Sequence, residues 1–192
     1  MPNIELRTNT QNHLSELKPE RKEEKDKDEY KIDRSLEVAA KKMVAELSEE
    51  KLKSIFYDGE DSIWGAKLKT AIINVLPENG ELVKEIALWI KEPNYITISI
   101  QRINDEEFLE KFIYSSPYLY CQIKAVKKIS DFERLYRIIK NENIPYPVKV
   151  RGMEKINDPN ELEMLVNDNS IDSRIQELAE EKYLDQKHKW LF

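Results

Sequence analysis

The chain has 192 residues but only one cysteine, two histidines and four glycines. A single cysteine excludes an intramolecular disulfide, and no set of cysteines and histidines has the spacing of a zinc site. The few glycines form neither a glycine-rich phosphate-binding loop nor a Gly-x-Ser-x-Gly nucleophile motif. These absences exclude most common cofactor sites, so we expect no cofactor.

Long apolar runs are also missing from the sequence. No stretch approaches the ~20 apolar residues that a membrane-spanning helix needs, and Met1–Glu5 does not resemble the start of a secretory signal. Cys121 falls on the apolar side of its segment, which predicts a buried thiol in a reducing, cytoplasmic setting. Lysine, glutamate and isoleucine are frequent, a bias reported for hyperthermophile proteins.

The central part of the chain determines the predicted fold class. Isoleucines alternate with polar residues over 95–103, a period of two that is typical of a half-buried strand. A second alternating segment, 118–126, predicts another strand. A third, 146–150, is flanked by Pro145 and Pro147, which favours a sheet edge because proline donates no ladder hydrogen bond.

Helical patterns separate these predicted strands. Asn104 and Asp105 precede a short helix, and Ser130–Glu133 reads as a capping box that opens a second one. Strand, helix, strand, helix and strand in this order predict an α/β (or α+β) fold with a small three-stranded sheet. Parallel strands joined by right-handed crossovers are favoured, although the short first connection leaves an antiparallel arrangement open.

The remaining segments are predicted to be helical or flexible. Residues 1–32 are polar and densely charged, which predicts a flexible N-terminal tail. Residues 33–192 form one globular domain, in which an N-terminal helical group, 33–94, precedes the sheet module, 95–151. A C-terminal helical pair, 152–192, follows, and no internal repeat is recognised.

Apolar stripes at helical spacing predict the core of the helical segments. Trp64 and Trp89 are assigned to these stripes. Asp33 is expected to cap the first firm helix, Asp158 is expected to start the first C-terminal helix, and Ser170 is expected to begin the last.

The net charge of −6 hides an uneven distribution, because residues 118–151 carry eight lysines and arginines against three acids. Tyrosines interleave with these cations, and a sheet face of this kind can stack bases while cations contact phosphates. We therefore predict a non-catalytic accessory or regulatory subunit that contacts single-stranded nucleic acid. The residues predicted to bind it are Tyr118, Tyr120, Lys124, Lys127, Lys128, Arg134, Arg137, Lys140, Lys149 and Arg151.

Protein partners are expected at the acidic helical ends and at the terminal Trp190, Leu191 and Phe192, which would form an apolar handle. Two other functions stay open. Asp105 and Asp131 could hold a divalent metal in a small nuclease or phosphotransferase, although acids at helix starts usually serve as caps. The chain could also be purely a protein-interaction or structural protein.

Overall fold

The computed structural model describes residues 20–57 and 62–190, with side chains over 33–57 and 62–187. These residues form eleven helices and contain no strand. The predicted α/β (or α+β) fold with a three-stranded sheet is therefore wrong. The helices are α1 (Glu20–Glu46), α2 (Glu49–Tyr57), α3 (Ile63–Val75), α4 (Glu81–Trp89), α5 (Pro93–Arg102), α6 (Glu106–Ser115), α7 (Leu119–Val126), α8 (Phe132–Lys140), α9 (Tyr146–Met153), α10 (Pro159–Asn167) and α11 (Ser173–Trp190).

The helices from α4 onward form four consecutive pairs, in which each helix packs on the next one along the chain. We call the first helix of each pair the A helix and the second the B helix. Asp105, Asp131 and Asp158 cap the last three A helices and lie 26 and 27 residues apart. The chain thus contains an internal helical repeat, although none was recognised in the sequence.

The pairs stack so that the B helices pack on one another in series, from α5 through α7 and α9 to α11, and α5 also packs on α3. Successive A helices make at most sparse contacts and pack mainly on their own B helix. This arrangement is an α-solenoid, a fold in which each repeat contacts only its neighbours.

Equivalent positions of the B helices fill the core in the same way. One position carries small residues, which allow neighbouring B helices to approach closely. A second position, directly after the last helical residue of α5 and shortly after the ends of α7 and α9, carries a buried isoleucine. The small residues are Ser99, Ala125, Gly152 and Ala179, and the isoleucines are Ile103, Ile129 and Ile156.

A basic residue at an equivalent position of each repeat ties that repeat to the preceding helix layer. Lys128 Nζ donates to the carbonyl oxygens of residues 100 and 101 at 3.1 and 2.7 Å. Lys155 and Lys182 contact the ends of α7 and α9 in the same way, at 2.7 and 2.6 Å, and Arg102 contacts the end of α3 at 2.7 Å. These cations donate to carbonyl oxygens at the carboxyl ends of helices, where backbone donors run short and a positive charge is favourable.

The three predicted strands are B helices, and α5 explains the error. Ile96 and Ile100 are buried, whereas Ile98 is half-exposed, so the alternating isoleucines do not share one face. Thr97 donates its hydroxyl to the Pro93 carbonyl at 2.8 Å, a bond within the helix. Packing between α3 and α7 therefore overrides the weak helix propensity of β-branched residues.

Several predicted boundaries also differ from the structure. Asp33 lies within α1, which includes residues 20–32 of the predicted tail, while residues 1–19 lie outside the described chain. Asp131, not Ser130, caps α8, and α11 begins three residues after Ser170. The predicted start at Asp158 is confirmed, since its carboxylate accepts from two backbone amides of α10.

Gly152→Ala is expected to raise the free energy of unfolding by up to about 1 kcal/mol, because alanine is the better helix former. A Cβ at this position would lie 3.5 Å from Val126 Cγ2 and 3.6 Å from Ile139 Cγ1, which is ordinary van der Waals contact. Urea unfolding followed by circular dichroism measures the change.

Gly80→Ala provides the matched control. Its Cβ would lie 3.0 Å from the Pro77 carbonyl oxygen, and alanine is a poor residue at a helix N-cap. We expect no gain from this substitution. A loss of stability in the Gly152→Ala variant would contradict the packing described for α9.

Candidate interaction surface

The two tyrosines predicted to stack bases lie at the start of α7 and do not share a sheet face. Tyr118 is the N-cap residue and is half-buried, whereas Tyr120 is 58% exposed. Lys124 lies one turn after Tyr120, with Nζ 5.1 Å from the ring centroid. Tyr120 and Lys124 therefore form a preassembled aromatic-cation contact on the outer side of the B layer.

Two predicted phosphate contacts are occupied by a carboxylate of the chain itself. Glu110, only 6% exposed, accepts from Arg137 Nε and Nη2 at 2.8 and 2.9 Å and from Arg134 Nη1 at 2.7 Å. Tyr114 adds its hydroxyl at 3.1 Å. This cluster joins α6 to α8, so both arginines serve the stack of A helices.

Three of the six other predicted cations also have oxygen partners within the chain. Lys140 pairs with Asp168 at 3.0 Å, and Arg151 pairs with Glu154 at 2.7 Å. Lys128 donates to carbonyls of the preceding repeat, and its burial lowers its pKa. Five of the eight cations of residues 118–151 are therefore engaged by carboxylates or carbonyls of the chain itself.

A smaller set of the predicted residues remains together on the B layer, and we call it the basic patch. It consists of Tyr120, Lys124, Lys127 and Arg151. Lys124 and Arg151 occupy equivalent positions on adjacent helices, so they lie side by side. Lys127 is exposed, and no hydrogen bond or ion pair of its side chain is found in the described chain.

An apolar depression of about 250 Å³, which we call the edge pocket, lies where α4 ends and α7 begins. Leu88 and Trp89 stand at its rim and are 47% and 68% exposed. Phe112 and Tyr118 contribute further walls. Tyr118 and Tyr120 both belong to the start of α7, so the edge pocket and the basic patch both include a residue from this end of the helix.

The repeat makes the exposure of Trp89 significant. The equivalent positions carry Ser115, Asn141 and Asp168, all polar. The assignment of Trp89 to the core was wrong, as was that of Trp64, which is 59% exposed. The sequence did indicate that Trp89 is exposed. Residues 82, 83, 86, 87 and 90 already form the buried side of α4, and Trp89 is not one of them.

The two candidate catalytic carboxylates act as helix caps in the structure. Asp105 accepts from the Phe108 amide at 3.1 Å and from Lys84 Nζ at 2.9 Å, which lower its pKa. Asp131 accepts from the Arg134 amide at 2.9 Å. No group of three or more metal-ligating side chains suited to an ion occurs among the residues that the structure describes.

Cys121 and the C-terminal residues are the remaining positions for which the sequence makes a prediction. Cys121 is buried, as predicted, and burial raises the pKa of its thiol. Of the predicted partner-binding residues, Leu191, Phe192 and the side chain of Trp190 lie outside the described residues. No helix in the described part of the chain is both long and apolar enough to span a membrane.

Glu110→Gln is expected to lower the free energy of unfolding at pH 7 by about 1–3 kcal/mol, because buried charge-assisted hydrogen bonds are lost. The bonds from Arg137 hold the pKa of Glu110 below its ordinary value of 4.5. The ionised carboxylate therefore stabilises the fold above that value, and this contribution is lost as the pH falls through the lower, folded-state pKa. Urea unfolding at a series of pH values should show a shallower acid dependence for Glu110→Gln than for the wild type.

Glu107→Gln, on the same helix, is the control. Glu107 pairs with Lys111 at 2.6 Å on an exposed surface, where solvent screening leaves little net stabilisation. We expect its acid dependence to stay close to that of the wild type. Equal slopes for Glu110→Gln and the wild type would show that the buried cluster does not contribute.

No family model matches the chain, and searches of curated proteins and of solved structures also find no match. The chain carries an exposed aromatic pocket and a small basic patch on an α-solenoid.

Proposed function

We propose that the protein is a non-catalytic adaptor that binds a segment of a partner protein across the edge pocket and the basic patch. The segment would carry a large apolar side chain next to acidic residues. The observation that carries this proposal is the exposure of Trp89 and Leu88 around an apolar pocket at the start of α7, the helix that carries Lys124 and ends at Lys127. α-Solenoids commonly bind partners along extended surfaces of stacked helices.

The aromatic residues would supply most of the binding energy. Tryptophan and tyrosine are enriched among the few interface residues whose truncation costs 2 kcal/mol or more. An apolar side chain in the edge pocket would cover both Trp89 and Tyr118 and remove them from water. Exposed apolar surface of this kind is typical of binding sites.

The basic patch would select the charge of the partner. Within the basic patch, no ion pair of Lys124 or Lys127 is found among the described residues, and Arg151 shares its charge with Glu154. Acidic side chains on the partner would complement them, which raises the association rate and excludes basic segments. The net charge of −6 opposes acidic ligands elsewhere, so attraction would be confined to this patch.

Single-stranded nucleic acid is the second candidate for the same surface. Tyr120 presents an exposed ring to a base, and Lys124 and Lys127 lie close enough along α7 to contact successive phosphates. This is the stacking mode of sequence-tolerant single-strand binding. Internal pairing of the other cations supports the protein partner over the polymer, because few phosphates could be neutralised here.

Peptide display can test the adaptor proposal. Peptides with an aromatic or aliphatic residue flanked by acids should be enriched on the wild-type protein, and their affinities can be measured by fluorescence anisotropy. Trp89→Ala is expected to weaken them about 30-fold, the effect of losing a 2 kcal/mol hot spot. Lys124→Glu with Lys127→Glu should weaken them about tenfold and reduce the salt dependence.

Trp64→Ala and Lys51→Glu are matched controls, since both residues are exposed and lie outside the edge pocket and the basic patch. They should leave peptide affinity unchanged. Equal binding by wild type and Trp89→Ala would reject the adaptor proposal. Salt-sensitive binding of single-stranded oligonucleotides, lost in the double lysine variant, would support the second candidate instead.

A further inference from the structure

A separate cavity of about 290 Å³ lies at the turn between α8 and α9, where α11 begins. Its lining is strongly charged and includes Lys149, Arg174, Asp172 and Glu142, together with the ring of Tyr146. The cavity shares no residue with the edge pocket or the basic patch. A ligand in this cavity would therefore leave the edge pocket and the basic patch uncovered.

Lys149 is the unusual residue of this cavity. It is only 7% exposed, and within the described chain no hydrogen bond or ion pair of its ammonium group is found. The aliphatic part of the side chain is covered, whereas the ammonium nitrogen is not one of the fully buried polar atoms and faces the opening of the cavity. An oxygen atom of a bound ligand could therefore reach this ammonium group in place of water.

The repeat shows what usually occupies this position. Gln122 and Gln176 are the equivalent residues of the neighbouring repeats. Gln122 donates to two carbonyls at the end of α6 at 2.9 and 2.8 Å, and Gln176 does the same at the end of α10 at 3.1 and 2.9 Å. Lys149 replaces this capping amide with a cation that makes neither contact.

The other charges of the cavity are already committed. Arg174 binds Asp172 through two hydrogen bonds of 3.0 and 2.7 Å, and its guanidinium group lies 4.2 Å from the ring centroid of Tyr146. The pKa of Asp172 is lowered to about 2, mainly by the hydrogen bonds from Arg174 and to a smaller extent by the charge of Lys149. Lys149 therefore carries the one positive charge of this lining without a direct partner.

We propose that this cavity binds a single carboxylate group and that Lys149 is the residue that neutralises it. One uncommitted ammonium suits a singly charged ligand, whereas Asp172 and Glu142 would repel a phosphate dianion. The volume lies at the lower end of the range for small-molecule sites. A small organic acid and the C-terminal carboxylate of a peptide both present this group.

Titrations of the full-length protein can test the site by the shifts of its backbone amide signals in ¹H–¹⁵N spectra. The probes are acetate, a short peptide with a free C-terminus, the same peptide amidated, and inorganic phosphate, all against sodium chloride at equal ionic strength. We expect saturable shifts around residues 143–149 and 172–174 with the carboxylates, and none with chloride. Acetate alone would identify a small-acid site, and tighter binding of the free peptide than of its amide would identify a peptide terminus.

Lys149→Gln is the decisive variant, because it restores the residue that neighbouring repeats carry and should fold with equal or greater stability. Its carboxylate affinity should fall by about tenfold or more, the effect of losing one charge-assisted hydrogen bond. Lys127→Gln, in the basic patch, should bind like the wild type. The proposal is overturned if no carboxylate gives a saturable shift, if Lys149→Gln binds as well as the wild type, or if phosphate binds more tightly than acetate.

Discussion

The constraint on which the whole structure depends is that no helix pair of this chain can bury its apolar side alone. The two middle B helices, α7 and α9, are covered on both sides by other B helices, through small residues such as Ala125 and Gly152. The neighbouring repeat also completes the hydrogen bonds of the helix ends, as the contact from Lys155 to the end of α7 illustrates. Stability is therefore shared between neighbours, as expected for a nearly one-dimensional fold.

This constraint also explains the uneven charge of the sequence. In a stack of parallel B helices, the carbonyl ends lie side by side, and each needs a donor. Lysines at 27-residue intervals satisfy that need, and ion pairs such as Glu110 with Arg137 join the A helices. A local excess of positive charge is therefore not by itself a sign of a polyanionic ligand. Much of it serves the fold.

Departures from the repeat are more informative about function than the charge total. Trp89 stands where the other repeats place polar residues, and Lys149 stands where two of them place a capping glutamine. Neither change improves packing or hydrogen bonding within the described chain. Trp89 belongs to the proposed adaptor site and Lys149 to the proposed carboxylate site. A residue that lowers the stability of the fold suggests a ligand whose binding compensates for that loss.

The amino-acid sequence by itself determined the A helices and their caps, because Asp105, Asp131 and Asp158 act on amides only two or three residues away. It also determined that Cys121 is buried, since that burial follows from an apolar neighbourhood in either secondary structure. Tertiary structure alone decided the state of α5, α7 and α9, the three B helices predicted as strands. Their β-branched residues favour strands locally, and only burial between two neighbouring helices makes the helical conformation the stable one. Tertiary structure likewise decided which cations remain available, because the carbonyl that occupies Lys128 lies 28 residues away along the chain.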